Sequence, residues 1–321
     1  MLWAVLADFH KTRRHDTVTL VHESLPHLPP GEVRRVRNAA EEREWFEELA
    51  GGAEAVLLIA PETAGLLDER SGWVEAVGGR LLGCTAAARR LTASKAALGR
   101  HWQATGVPTP AVLAVGADVA GVREFPCVLK PADGAGSQDT FAILNGDELR
   151  PALAQATPRR WVAQRFAPGL AASVAFLVGP AATIPLPPAL QQLSDDGRFH
   201  YLGGAVPLPG DLGARAVRLA RRAVAAVPGL RGYVGVDLVL GDAADGSGDF
   251  AIEINPRLTT SYLGLRMLTR DNLAEALLRG CRGEPAGPLR WEPGHVRFST
   301  DGSCIESQPG PLVVGGQRPL T

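Results

Sequence analysis

The sequence predicts an α/β protein that becomes α+β in its middle and C-terminal parts. Three observations carry this prediction. Apolar strand-like runs alternate with helical segments over residues 1–90. Strand-like runs then crowd together between residues 107 and 167. Further on, two acidic strands, GYVGVDLVL and FAIEINPR, flank a polar, glycine-rich loop.

The elements follow in order. MLWAVLADFH reads as a helix and TVTLVHE as a strand. AAEEREWFEELA is an amphipathic helix with Trp45, Phe46 and Leu49 on its apolar side. EAVLLIAPE and GGRLLGC have the composition of strands buried on both faces, which implies a parallel sheet covered by helices. A first helix with no strand before it is unusual for such a unit. The expectation is a sheet short of its first strand and a chain that starts late.

A helix begins at Lys95 and ends at Gly106. PAVLAV, FPCVLKP, TFAIL and RWVAQRF are the crowded strands. ASVAFLV and the proline-rich TIPLPPALQQL come next. DLGARAVRLARRAVAAV is a helix with Asp211 as N-cap and Pro228 and Gly229 as its stop. Its Arg215, Arg218, Arg221 and Arg222 read as a solvated face. After the acidic strands, LTTSYLGLR leads into the helix NLAEALLRG, and VRFSTDGSC forms a late hairpin.

Composition bounds the function. A chain of 321 residues can bury a sizeable core in two or three domains. Net charge is -1 and pI is near 6.7, so no basic field points to nucleic acid or an anionic membrane. Cys84, Cys127, Cys281 and Cys304 are far apart and form no CxxC, which fits a reducing cytoplasm. No apolar run reaches about eighteen residues, and the N-terminus lacks a signal-peptide layout.

The acidic strands carry the chemistry. Val234, Val236, Leu238 and Leu240 share one face, and Asp237 lies on the other. Ile252 and Ile254 face one way, so Glu253 and Asn255 face the other. A loop symmetric about Asp245 places Asp237 directly across from Glu253. Like charges at opposed sheet positions repel, so this pair calls for a cation. Two carboxylates and an amide oxygen are hard donors that suit magnesium.

Three weaker signals precede the hairpin. FPCVLKPADGAGSQDTF ends a strand on Lys130 and continues through Gly134 and Gly136, a loop that could cradle phosphate or simply turn. Lys95 alone reads as a solvated lysine. RWVAQRFAPG closes a strand on Gln164 and leaves through Pro168 and Gly169, as a hinge or an ordinary strand end.

In this order the four elements resemble the ATP-grasp superfamily, over about residues 90–265. The resemblance implies an ATP-grasp fold behind a Rossmann-like domain: residues 1–90, a small lid subdomain at 91–167, and a large subdomain at 168–321. It implies that Lys95 and Lys130 touch the phosphates of ATP, and that Gly134, Ala135, Gly136 and Ser137 close over them. Gln164 and Phe166 would lie at the adenine, with the backbone of Arg165 and Phe166 reading the purine edge. Asp237, Glu253 and Asn255 would hold Mg2+, for which Mn2+ could substitute. Arg257 and Lys130 would be the catalytic groups, Arg257 steadying the transferring phosphoryl or a substrate carboxylate. The chain departs from the pattern at the ribose-binding Glu, where Ala171 or Ala172 stands.

KPADGAGSQDT, QQLSDDGRFHYLGGAVPL and TTSYLGL are similar to the tyramine–L-glutamate ligases of methanofuran biosynthesis and their bacterial relatives in C1 metabolism. This implies an ATP-dependent carboxylate–amine ligase that makes an amide through an acyl phosphate. L-glutamate would be activated, and tyramine or tyrosine would attack. The implied pocket residues are Tyr201, Gly203, Gly204, Thr259, Thr260, Ser261 and Tyr262. In blander terms Gly203 and Gly204 make a turn, and residues 259–261 cap a helix. The alternatives are another amino-acid or dipeptide ligase, of the D-alanine type, and a nucleotide-binding protein without catalysis. Small molecules are the expected partners, with a homodimer as the default assembly.

Overall fold

The computed structural model describes residues 1–134, 139–155, 160–302 and 305–314. Among these residues the backbone forms three sheets. No described helix is long and apolar enough to cross a membrane.

The first sheet pairs Val18–His22 with Glu32–Val36 in parallel. The helix Ala39–Gly52 follows, and the Asn38 side chain caps it by accepting from the Ala40 and Glu41 amides. EAVLLIAPE and GGRLLGC do not become strands, contrary to expectation. They meet at one parallel bridge, Val56 with Leu81, held by Val56 N–H to Arg80 O and Leu82 N–H to Val56 O. Beyond the bridge, Leu57 and Ile59 pack on the core of the largest sheet, so their apolar character serves that contact rather than a ladder.

The first helix, Leu2–Thr12, packs on the C-terminal helix Leu273–Cys281. Val5 and Phe9 enter the same apolar cluster as Leu265 and Leu277. Asp8 fixes the contact. It is 5% exposed, accepts from the Tyr262 hydroxyl at 2.7 Å, and forks with Arg266 at 2.9 and 2.6 Å.

The second sheet is antiparallel, in the order Val112–Val115, Trp161–Arg165, Cys127–Pro131, Phe141–Ile143. The helix Gly146–Gln155, absent from the sequence reading, brings Leu149 and Ala152 onto Leu129 and Phe141.

The third sheet has the order Phe250–Asn255, Gly232–Leu240, Leu170–Val178, Ala189–Leu193, Tyr201–Val206, His295–Ser299, Ile305–Gln308, with Thr183–Pro185 pairing off Leu170–Val178. One face carries Val234, Val236, Leu238 and Leu240 against Leu219, Ala220 and Ala223 of the helix Gly210–Ala225. Trp102 is fully buried there, and its indole N–H donates to Ala223 O at 3.2 Å. The other face carries Tyr233 and Leu177 against the helices Ser261–Leu268 and Leu273–Cys281. Each buried valine or leucine here contributes roughly 1.5–3 kcal/mol.

The helix Gly210–Ala225 corrects two expectations. Its N-cap is Pro209, with Asp211 one step inside the first turn. Arg215 is 6% exposed rather than solvated. It forks with Asp249 and donates to Gly241 O at 2.6 Å. Asp249 also accepts from the Gly241 amide, so the pair braces the base of the acidic hairpin loop.

Breaking a buried ion pair from one side strands the other charge. Asp8→Ala is therefore expected to lower stability by about 3 kcal/mol in equilibrium denaturation.

Candidate active site

The acidic hairpin opens onto a cavity of about 760 Å³ between the second and third sheets. The register places Asp237 opposite Glu253 and Gly235 opposite Asn255. The alternation that predicts this pairing holds as far as Asp237. A bulge then follows, so that Leu238 pairs with Ala251. Ala251 and Ile254 therefore face the apolar core, while Ile252 lines the cavity. Ile252 and Ile254 point to different sides, contrary to the expectation that they share a face.

Each carboxylate of the pair is held. Asp237 accepts from the Gln191 side-chain amide at 2.9 Å and from the Asn255 side-chain amide at 2.9 Å. Glu253 accepts from Lys95 Nζ at 2.7 Å. Lys95 Nζ also donates to Gly134 O at 2.9 Å, which ties the first turn of the helix Lys95–Ala104 to the loop after Lys130. Lys95 is thus an ion-paired residue of the site rather than a solvated one.

Burial, and then the charge of Glu253, push the Asp237 carboxyl up to about 7. Burial works the same way on Glu253, but the charges of Lys95 and Lys130 outweigh it and hold that carboxyl down to about 2. Burial and the neighbouring Lys95 bring Lys130 down to about 8. Burial would lower Lys95 too, but Glu253 beside it raises it. The pair is a like-charge contact that two lysines only partly compensate.

These donors fit a hard divalent cation. Two carboxylates face each other from opposed strands, and the Asn255 amide stands beside them. Among the described residues no third His, Cys, Asp or Glu completes a metal cluster. Magnesium takes one or two carboxylates and completes its shell from water and phosphate oxygens, so such a site suits a metal that arrives with a nucleotide.

Lys130, Gly134, Gln164, Arg165, Phe166, Tyr201, Arg257, Thr259, Thr260 and Ser261 also line the cavity. Ala135, Gly136 and Ser137 lie outside the described residues. The Gln164 side chain donates to Pro110 O at 2.9 Å. The Phe166 ring stacks on Phe199 at 6.4 Å. Two of the hinge's backbone N–H groups are already engaged. The N–H of Arg165, the last residue of its strand, is taken by Ala111 O, and that of Phe166, just beyond the strand, by Pro126 O. The Ala167 N–H makes no backbone hydrogen bond to a described residue, and Ala167 lines the cavity. At the expected ribose position Ala171 faces the cavity and Ala172 the core.

Three substrate-pocket residues do not belong to the cavity. Tyr262 is 1% exposed, with its hydroxyl on Asp8. It docks the first helix. Gly203 and Gly204 sit inside the strand Tyr201–Val206, neither in the pocket nor in a turn. A Cβ on Gly203 would lie 2.3 Å from Phe298 O, and one on Gly204 2.6 Å from Leu190 O. They permit close strand approach. Thr259, Thr260 and Ser261, in contrast, are not a side-chain cap. The helix Ser261–Leu268 has no side-chain cap bond, and Thr259 Oγ1 and Ser261 Oγ lie 2.9 Å apart.

The sequence reading missed Gln191, Ile252, Ala167 and Phe199, and also Glu62, which forks with Arg257. Strand alternation could have placed Gln191 on the Asp237 face once the strand order was known. The others depend on a bulge, a hinge and a distant loop.

Residues 92–261 match the ATP-grasp domain, and residues 15–88 match the pre ATP-grasp 3 domain. The chain belongs to the ATP-grasp family. Tyramine–L-glutamate ligase of Methanocaldococcus fervens is 36% identical over 121 residues, 38% of this chain and 38% of that protein, well under two thirds of its length. Tyramine–L-glutamate ligase of Methanocaldococcus jannaschii is 28% identical over 248 residues, 76% of this chain and 67% of that protein. An ATP-grasp superfamily protein of Archaeoglobus fulgidus shares the fold, with a TM-score of 0.69 and 22% identity over 93% of this chain and 84% of that one.

The bulge separates two isoleucines that look equivalent in this ATP-grasp sequence. Ile254→Ala is expected to cost about 2–5 kcal/mol of stability as a core truncation. Ile252→Ala should leave denaturation nearly unchanged and weaken ATP-analogue binding several-fold in calorimetry.

Proposed function

We propose that this protein is an ADP-forming carboxylate–amine ligase that joins L-glutamate to tyramine or tyrosine. One observation carries the reaction class: the opposed Asp237 and Glu253, with Lys95 and Lys130, share a cavity with Arg257 and a hydroxyl group of residues. The substrates are supported by the likeness to the two tyramine–L-glutamate ligases.

A carboxylate is a poor electrophile, because its oxygen leaves badly. In the proposed reaction a carboxylate oxygen of glutamate bonds to the γ-phosphorus of ATP, and ADP leaves. The amine nitrogen then bonds to the acyl carbon, inorganic phosphate leaves, and the nitrogen gives up a proton. Lys95 and Lys130 hold phosphate oxygens, and Arg257 offers N–H donors to the transferring group. Asp237, Glu253 and Asn255 would hold magnesium, which supplies charge neutralisation for the phosphates. Thr259, Thr260, Ser261 and Tyr201 form the substrate side. Residues 1–90, 91–167 and 168–321 act as the preceding domain, the lid and the large subdomain, with the lid excluding water from the acyl phosphate. The reaction belongs in the cytoplasm, where ATP and free thiols coexist.

The test is coupled ADP release with glutamate plus tyramine, against single omissions and other amines. ADP and phosphate are expected only with both substrates present. Release of AMP, or turnover indifferent to either substrate, contradicts the proposal. Asp237→Asn and Glu253→Gln should each lower turnover by about a hundredfold or more with unchanged circular dichroism.

A further inference from the structure

Glu62 lies before the stretch that matches the ATP-grasp domain itself, in the preceding domain. It is 6% exposed, and its carboxylate takes three bonds from Arg257: two from Nε, at 2.9 and 3.1 Å, and one from Nη2 at 2.9 Å. The turn that carries it is unusual. Ala64 holds φ 54 and Gly65 φ 72, left-handed conformations at successive residues, one of which is not glycine. The same turn reaches the loop after Lys130: a Cβ on Gly134 would lie 3.8 Å from Thr63 Oγ1. One turn of the N-terminal region therefore bonds to Arg257 and comes close to the phosphate-side loop.

The donors of Arg257 can be counted. A guanidinium carries five N–H bonds. Glu62 takes Nε–H and one on Nη2, and Leu258 O accepts from Nη1 at 3.1 Å. The second Nη2 donor is 3.5 Å from Asn255 Oδ1, at the limit of a hydrogen bond. One Nη1 donor has no partner among the described residues. Arg257 is thus clamped by Glu62, one spare donor lies beside Asn255, and the residue lines the cavity. A long, flexible side chain fixed beforehand needs no further ordering when its ligand arrives.

We propose that Glu62 is a positioning residue: it fixes the Arg257 guanidinium so that the spare N–H donors meet the transferring phosphoryl group. This rests on the ligase reading for its role in turnover, and makes the N-terminal region part of the reacting end rather than a neighbour of it. A contact that merely docked the N-terminal region would not distinguish one phosphate from another.

That difference is measurable on the full chain by titration with ADP and with AMP-PNP, both with magnesium, since only AMP-PNP carries a γ-group. Glu62→Gln is expected to weaken AMP-PNP about tenfold and leave ADP unchanged, with Glu62→Asp recovering part of the loss. In an Arg257→Ala background, Glu62→Gln should have no further effect. Equal weakening of both nucleotides, AMP-PNP binding as tight as in the parent, or an undiminished effect without Arg257 overturns the proposal. Calorimetry needs no turnover. A chain that binds both nucleotides but ligates no glutamate therefore sinks the substrate assignment alone, and Glu62 still stands or falls on the two affinities.

Discussion

Two carboxylates face each other across neighbouring antiparallel strands, half-buried at the wall of the cavity, and the site is organised around their repulsion. Asp237 and Glu253 cannot both ionise cheaply there. Lys95 answers Glu253 directly, Lys130 adds a second charge, and the Gln191 and Asn255 amides donate to Asp237. The lysines bear the complementary strain, since Lys130 sits beside Lys95 in a buried setting that favours its neutral form. An arrangement of unequal, incompletely balanced charges is poised for a divalent cation with phosphate attached. In the proposed complex a divalent cation would bring positive charge to the acids and its phosphate would bring negative charge to the lysines at once.

The rest of the fold keeps that contact in register. The apolar stripe from Val234 to Leu240 seats the Gly232–Leu240 strand on the helix Gly210–Ala225. Arg215 and Asp249 lock the base of the hairpin loop, so the register cannot slip without breaking a buried fork. On the opposite face the first helix docks through Asp8 onto Tyr262 and Arg266. The chain just beyond Asn255 is held from the other side, by Glu62 on Arg257. Phosphoryl transfer demands positioning more than covalent chemistry, and these braces are where the fold supplies it.

Much of this was legible in the sequence, for definite reasons. Period-two alternation and a symmetric loop sufficed to pair Asp237 with Glu253. The same rule failed at the very next position, because a bulge has no signature in GDFAIEINPR and re-aims Ile252. Lysine positions carried chemistry only in company: Lys95 read alone is a surface residue, and its partner is 158 positions away. Tyr262, Gly203 and Gly204 travelled with motifs that mark the family, yet their contacts are with Asp8, Phe298 and Leu190. A motif says that a residue type is required, not which side of the backbone requires it. The burial of Arg215 was hidden because its partner lies in a loop that looks wholly solvated. EAVLLIAPE looked like a strand because apolar residues that pack on another unit's core have the same composition as a ladder.

The most direct test of the central claim is the melting temperature of Asp237→Asn against the parent chain, with divalent ions chelated and then with magnesium and ATP. If the opposed carboxylates exist to hold a cation at the expense of the empty fold, removing one charge should raise or preserve the melting temperature under chelation. It should also abolish the further rise that magnesium and ATP give the parent. A clear fall under chelation, with the nucleotide-dependent rise retained, would mean that the pair is a structural element and that the cation site lies elsewhere.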